Sequence, residues 1–254
     1  MNYYIYDKTL EGLLSLVFDA YANKVFPDSI LSEQDVLPFF SDAVFRVQTD
    51  AEKAQRVWAG LLKKVSKEAA RQLSVVYMSE LAEVDMLIFR YLCKAFAGKQ
   101  SVEVNFGDDD VLQMQKIYRK VSREAERVRM FVRFQKTADG IFFAPFEPKY
   151  NVLPLVADFF EERFADQPFI IYDVKRKYGL YYDLQKTVEV NFDKLDFDFI
   201  TGKLSDAQAA EDEQLFQQLW KGYFKAIAIK ERTNLKLHRQ LLPKRFWKFL
   251  PEKQ

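Results

Sequence analysis

Arginines, lysines and tyrosines, rather than histidines or cysteines, carry whatever chemistry this chain can do. The densest set is Asp173, Lys175, Arg176, Tyr178, Tyr181 and Tyr182. Read as strand, turn and strand, it places alternate side chains on one face. Lys175 and Arg176 can then bind a phosphate while Asp173 orients the guanidinium fork. An Asp–Arg ion pair that merely secures the turn fits the same pattern. Arg133 and Arg163 stand among apolar neighbours, where a charge needs a carboxylate or phosphate partner. Arg232, Lys236 and Arg239 are spaced four and three apart, as on one helix face, and Lys244 and Arg245 follow directly after Pro243. That cluster is the preferred nucleic-acid surface. A docking face for the acid-rich segment 193–213 accounts for it equally well.

Catalytic motifs are scarce. His238 is the only histidine, so a Ser-His-Asp or Cys-His arrangement has one possible base and no supporting motif. Cys93 is the only cysteine, which rules out an intramolecular disulfide, a cysteine-rich zinc site or a thiolate-held iron–sulfur cluster. Asp158 and Glu162 share a helix face at four apart, with Glu161 rotated away, a pattern of surface charge rather than of an acid–base pair. Asp108, Asp109 and Asp110 precede a helical stretch, where carboxylates suit the positive end of the helix dipole better than they suit a metal. No phosphate-binding glycine loop or zinc spacing is present. No metal and no cofactor is expected, and no motif decides whether the chain is an enzyme.

The elements that must position these residues follow from periodicity. Asn2–Tyr6 reads as a strand, followed by a helix with Leu10, Leu13, Leu14, Val17, Phe18 and Tyr21 at helical spacing. Ala43–Gln48 is β-like, Thr49 and Asp50 form a cap, and helices are predicted over Ala51–Val65, Lys67–Met78 and Val84–Ala97. From Val111 the apolar positions recur every three or four residues while Lys116, Arg119, Lys120, Arg123 and Arg127 occupy other faces. A period of two then predicts strands over Val128–Lys136 and Ile141–Phe146 around the Asp139–Gly140 turn. Val152–Phe164 is helical, and Phe169–Val174, Tyr178–Tyr182 and Thr187–Phe192 read as strands. Residues 193–213 read as a polar loop, and Leu215–Leu242 as a long helix. The expectation is an α+β protein with a mainly helical region over 1–104, an antiparallel sheet with packed helices in 105–254, and a helical tail.

Composition sets the outer limits. The chain has 254 residues, 49% of them apolar and 16% aromatic, enough for a substantial core. Its 38 Lys and Arg against 37 Asp and Glu give a net charge of +1. That near-neutrality hides polarity along the chain. Residues 111–136 hold eight basic side chains against two acidic, residues 220–254 ten against two, and residues 1–50 three against eight. If the two basic stretches meet, they supply the phosphate-neutralising surface on which sequence-independent nucleic-acid binding rests. Tyr118, Phe131, Phe134, Trp220, Tyr223, Phe224, Phe246 and Trp247 are interleaved with them and are able to stack on unpaired bases. The acidic start of the chain is unlike a signal peptide, and no apolar run approaches the roughly 20 residues that span a bilayer. A cytoplasmic protein with no membrane partner is expected.

Several stretches carry a resemblance. They are Tyr6-Asp7-Lys8-Thr9-Leu10-Glu11-Gly12, Phe131-Val132-Arg133-Phe134, Glu147-Pro148-Lys149-Tyr150-Asn151-Val152-Leu153-Pro154 and Phe159-Phe160-Glu161-Glu162-Arg163-Phe164. Ile171-Tyr172-Asp173-Val174-Lys175-Arg176-Lys177-Tyr178-Gly179 and Leu219-Trp220-Lys221-Gly222-Tyr223-Phe224 continue them, with Leu242-Pro243-Lys244-Arg245-Phe246-Trp247 at the end. In order and spacing the chain resembles the bacterial family labelled "probable DNA metabolism protein", over nearly its whole length. The resemblance implies a companion of a radical-SAM DNA repair or modification protein. It also implies a C-terminal part similar to a domain of unknown function fused to some uracil-DNA glycosylase-family proteins. Glu126 and Tyr150 stand where relatives are expected to have histidine, which argues against metal or general-base roles there. The resulting expectation is an accessory protein of DNA repair or modification that binds nucleic acid or presents substrate to the radical-SAM partner. A nucleobase or nucleotide hydrolase using carboxylates, and a protein-interaction scaffold, are the alternatives.

Overall fold

Strand β1 (Asn2–Tyr6) buries Tyr3, Tyr4, Ile5 and Tyr6, as a strand flanked on both sides must. The computed structural model that shows this describes residues 1–38, 42–98, 101–192, 198, 202–205 and 207–254. β1 lies between β2 (Ser29–Ser32) and β3 (Ala43–Arg46), parallel to both. β2 has no counterpart in the sequence reading: four residues flanked by Pro27, Asp28 and Glu33 give too short an alternation to register.

Helix α1 (Leu10–Asn23) starts where the Thr9 hydroxyl accepts the Gly12 N–H at 2.9 Å. Gly12 is required there because a Cβ would collide with the Asp7 carboxylate and come within 2.8 Å of the Thr49 hydroxyl. Asp50 and Ser66 cap α2 (Ala51–Leu62) and α3 (Lys67–Tyr77), and α4 (Val84–Ala97) completes the set. Leu13, Leu16, Val17, Leu61, Leu73, Ile88 and Leu92 interlock in their core.

Helix α5 (Asp109–Phe131) begins at the aspartates. Asp108 accepts the Asp110 N–H at 2.9 Å, while Lys94 holds Asp108 at 2.6 Å and Asp110 at 2.7 Å. The acidic run is a cap with its own counter-ions, and hydrogen bonding from Lys94 holds the Asp108 carboxyl below its usual range. The expected strand from Val128 is instead the last turns of this helix. Val121, Ala125 and Val128 are all buried along one side of it, so the three- and four-residue period continues to Phe131.

The chain forms two compact units, Met1–Ser122 and Arg123–Gln254. In the second, β4 (Gln135–Lys136), β5 (Phe142–Phe146), β6 (Phe169–Asp173), β7 (Tyr178–Tyr182) and β8 (Thr187–Val190) make one sheet in sequence order. The turn at Asp139–Gly140 joins β4 to β5, with Gly140 at φ +84°. The sheet is mixed rather than antiparallel throughout. Helix α6 (Leu153–Arg163) carries the chain back, so that β6 runs parallel to β5. Phe134 meets Phe164 at 5.0 Å, Phe169 at 5.8 Å and Phe160 at 5.9 Å between ring centroids, filling the space beside α6.

The predicted 28-residue helical tail is broken. Helix α7 (Glu213–Ile227) ends before a short turn at Lys230–Arg232, and Asn234 then caps α8 (Leu235–Leu241), followed by α9 (Lys244–Trp247). An asparagine accepting the Leu237 N–H at 3.0 Å is a helix start, and the periodicity alone ran through it. The fold is α+β, and among the described residues no helix is long and apolar enough to cross a membrane. Part of the acid-rich loop, residues 193–197, 199–201 and 206, lies outside the described residues.

Candidate functional site

The second unit carries an open cleft of about 530 Å³. The stretch from Arg133 to Lys136 forms one wall, the first turns of α7 another, and Phe142 and Pro251 close it. Its organiser is Glu252, whose side chain is only 2% exposed. One carboxylate oxygen accepts Arg133 Nη2 at 2.8 Å and the other accepts Trp220 Nε1 at 2.9 Å. The guanidinium therefore lies over the indole, 5.3 Å from its centroid, and donates through Nη1 to the carbonyls of Met130 and Val132. Across the cleft, Glu213 accepts the backbone N–H of Lys136 at 2.8 Å and Gln217 Nε2 at 2.9 Å. Lys136 Nζ sits 3.7 Å from Asp212. Arg133 has the partner that its apolar neighbourhood demanded, and the partner is a carboxylate.

The constellation around Asp173 resolves in the same direction. Asp173, fully buried at the end of β6, accepts the N–H groups of Lys175 at 3.0 Å and Arg176 at 3.1 Å, and Arg176 Nη1 at 2.8 Å. Burial pushes its carboxyl up, and the Arg176 guanidinium works against that rise. Arg176 also reaches the carbonyls of Pro148 and Lys149, and Lys175 reaches that of Lys149. These residues clasp the β6–β7 turn onto the segment before α6. Tyr178 donates to Asn151 at 2.5 Å on the same side. Arg163 is exposed and lies over Phe164, 5.9 Å from the ring centroid, and forms no ion pair with a described residue.

Among the C-terminal cations, Arg245 bonds Glu124 in a forked pair, with Nη2 at 2.6 Å from Oε1. Glu124 is 1% exposed and also accepts Arg127 Nη1 at 3.3 Å and the Lys149 N–H at 2.8 Å. Arg232, Lys236, Arg239 and Lys244 are different: all are exposed and none forms an ion pair with a described residue. The helix break puts Arg232 on the turn before α8, so only Lys236 and Arg239 share that helix. His238 packs against Trp247 with centroids 5.8 Å apart, and burial lowers its affinity for a proton.

Asp158 and Glu161, rather than Asp158 and Glu162, line an open hollow with Glu189, Tyr178 and Thr187, whose hydroxyl donates to Glu161. Among the described residues no group of three His, Cys, Asp or Glu is placed to hold a metal ion.

The feature that motif reading missed is apolar. Leu215, Leu219, Tyr223 and Ile227 succeed one another every four residues along α7, and each is more than half exposed. Leu235 and Leu241 on α8 are exposed to a similar degree. The four-residue spacing was visible, but spacing does not say whether a stripe faces the core or the solvent.

The model of a family described as a domain of unknown function, DUF4130, matches residues 82–252. No curated protein and no solved structure matches the chain.

Proposed function

The chain belongs to the DUF4130 family, and from that premise we propose that it is an accessory protein of DNA repair or modification that docks a radical-SAM partner and presents DNA to it. The observation that carries the reading is the exposed row Leu215, Leu219, Tyr223 and Ile227. A monomeric surface rarely leaves such a contiguous apolar strip in water, and a helix face with anchors at four-residue spacing is a common mode of protein recognition. The resemblance to companions of radical-SAM DNA repair or modification proteins supplies the partner's class. The exposed cations Arg232, Lys236, Arg239 and Lys244 follow the same strip along the chain and supply phosphate contacts.

Co-expression with the companion radical-SAM protein tests this. The two proteins are expected to co-elute in gel filtration, and the double variant Leu219→Asp, Tyr223→Asp is expected to elute alone while keeping its melting temperature. Co-elution of the variant at the wild-type ratio removes α7 as the docking face.

A further inference from the structure

We infer that the cleft bounded by Phe134, Phe142, Phe216 and Trp220 is a pocket for one unstacked nucleobase, with Gln217 meeting the base's N–H edge. Its volume, about 530 Å³, falls within the range of small-ligand sites. Four aromatic side chains line one cleft, and a planar heteroaromatic ring is the ligand that uses such faces best.

The indole is pre-set for this. Trp220 is partly solvent-facing, yet a carboxylate that is 2% exposed fixes its N–H, and a guanidinium covers one of its faces. Holding a surface tryptophan in one orientation removes side-chain freedom without adding to the core, and the ordering cost of stacking is then met before a ligand arrives. Glu252 makes both bonds from a single side chain, so indole and guanidinium are set together.

The charges of the cleft select against a bare anion. Arg133 is paired with Glu252, Lys136 lies against Asp212, and Glu213 adds a further buried negative charge. What remains is a neutral edge with direction. Gln217 donates its amide to Glu213 at 2.9 Å, which orients the carboxamide, and no described residue donates to its oxygen. That oxygen suits an imino N–H, as in thymine, uracil or guanine, or an exocyclic amine. Gln217 lies well around α7 from Leu215 and Leu219, whereas Tyr223 meets Trp220 at 5.8 Å between ring centroids, so the apolar row and the cleft adjoin at Tyr223.

The inference rests on DNA being the substrate presented, but not on partner docking, and its test uses the full chain alone. Tryptophan fluorescence and calorimetry follow titration with thymidine, N3-methylthymidine, an oligothymidylate, an abasic oligonucleotide of the same length, and N-acetyl-leucinamide. Saturable binding of thymidine and the oligothymidylate is expected, weakened about tenfold in Phe216→Ala, the size of one stacking interaction. Wild type is expected to prefer thymidine over its N3-methylated form, and Gln217→Leu to erase that preference without losing the stacking signal. Circular dichroism confirms that both variants are folded. No saturation by any nucleoside, or equal affinity of the abasic oligonucleotide, overturns the assignment. Tighter binding of the leucine amide overturns it in favour of a pocket for a partner's side chain. Failure of co-elution leaves this result untouched, and failure here leaves α7 docking intact.

Discussion

Along α5 and the segment after it, arginines that look in sequence like a nucleic-acid surface turn toward carboxylates: Arg127 to Glu124, Arg129 to Glu126 and Arg133 to Glu252. From Arg232 to Lys244 the cations instead are exposed and form no ion pair with a described acid. The first stretch carries acids of its own, Glu124 and Glu126, whereas none lies between Arg232 and Lys244. What separates them is supply. Glu124 and Glu252 are buried beside the first stretch, and Glu124 reaches across to take Arg245 out of the second. A basic cluster is available for phosphate only after its local carboxylates are counted in space rather than along the chain.

The sharpest way to break this contrast is Glu124→Ala. It leaves Arg245 and the Lys149 N–H without Glu124 as acceptor and Arg127 with the Gln240 carbonyl alone, and losing hydrogen bonds to a charged group costs about 1.5–3 kcal/mol. Urea unfolding monitored by circular dichroism is expected to show that loss. A cost within about 0.5 kcal/mol, typical of surface changes, would place Glu124 with the solvated acids.

The converse is expected of the triple variant Arg232→Ala, Lys236→Ala, Arg239→Ala. Its stability should stay within about 0.5 kcal/mol of wild type. Its affinity for single-stranded DNA should fall, and the slope of log affinity against log salt should flatten by about 2, since each phosphate neutralised on a single strand accounts for roughly 0.7. An unchanged slope would show that these cations, though exposed, do not touch phosphate.

A smaller effect separates the carboxylates by pH. Burial raises the Asp173 carboxyl above 3.8, so the folded state holds its proton more tightly than the unfolded chain does. Its contribution therefore declines as pH rises from 3.8 through the folded value. For Asp110 burial also pushes upward, but bonds from Arg90 and Lys94 prevail and lower it, as Lys94 lowers Asp108. Their stabilisation is present above 3.8 and is lost as pH falls through the folded values. Asp173→Asn should remove the first trend and Asp108→Asn the Asp108 share of the second, each measured as melting temperature between about pH 3 and pH 6. A tenfold difference in proton affinity between folded and unfolded states corresponds to about 1.4 kcal/mol.

Local signals carried most of the elements. The caps at Thr9, Asp50 and Asp108, the glycine at position 140 and the helical spacing of Val84–Ala97 each depend on neighbours within four residues. The misreadings also have local causes. Val128, Val132 and Phe134 mimic a two-residue period at a helix end, and Asn234 interrupts a stripe that apolar spacing carries through. The site depends on distant partners instead. Glu252 is read as one more acid near a basic tail until Arg133 and Trp220 are seen against it. Glu124 left one clue, a carboxylate between Val121 and Val128 on the apolar side of α5.

The bonds from Arg245 to Glu124 and from Arg133 to Glu252 close loops of 121 and 119 residues. Every strand of the five-stranded sheet lies within those spans or at their edge. Bonds of such sequence separation are expected to form after the local hairpins and helices that bring their ends together. Interactions made after the folding barrier slow unfolding rather than speed folding. The carboxylates at positions 124 and 252 are therefore expected to act as a timer: their loss should shorten how long the cleft, once assembled, persists before the C-terminal helices let go.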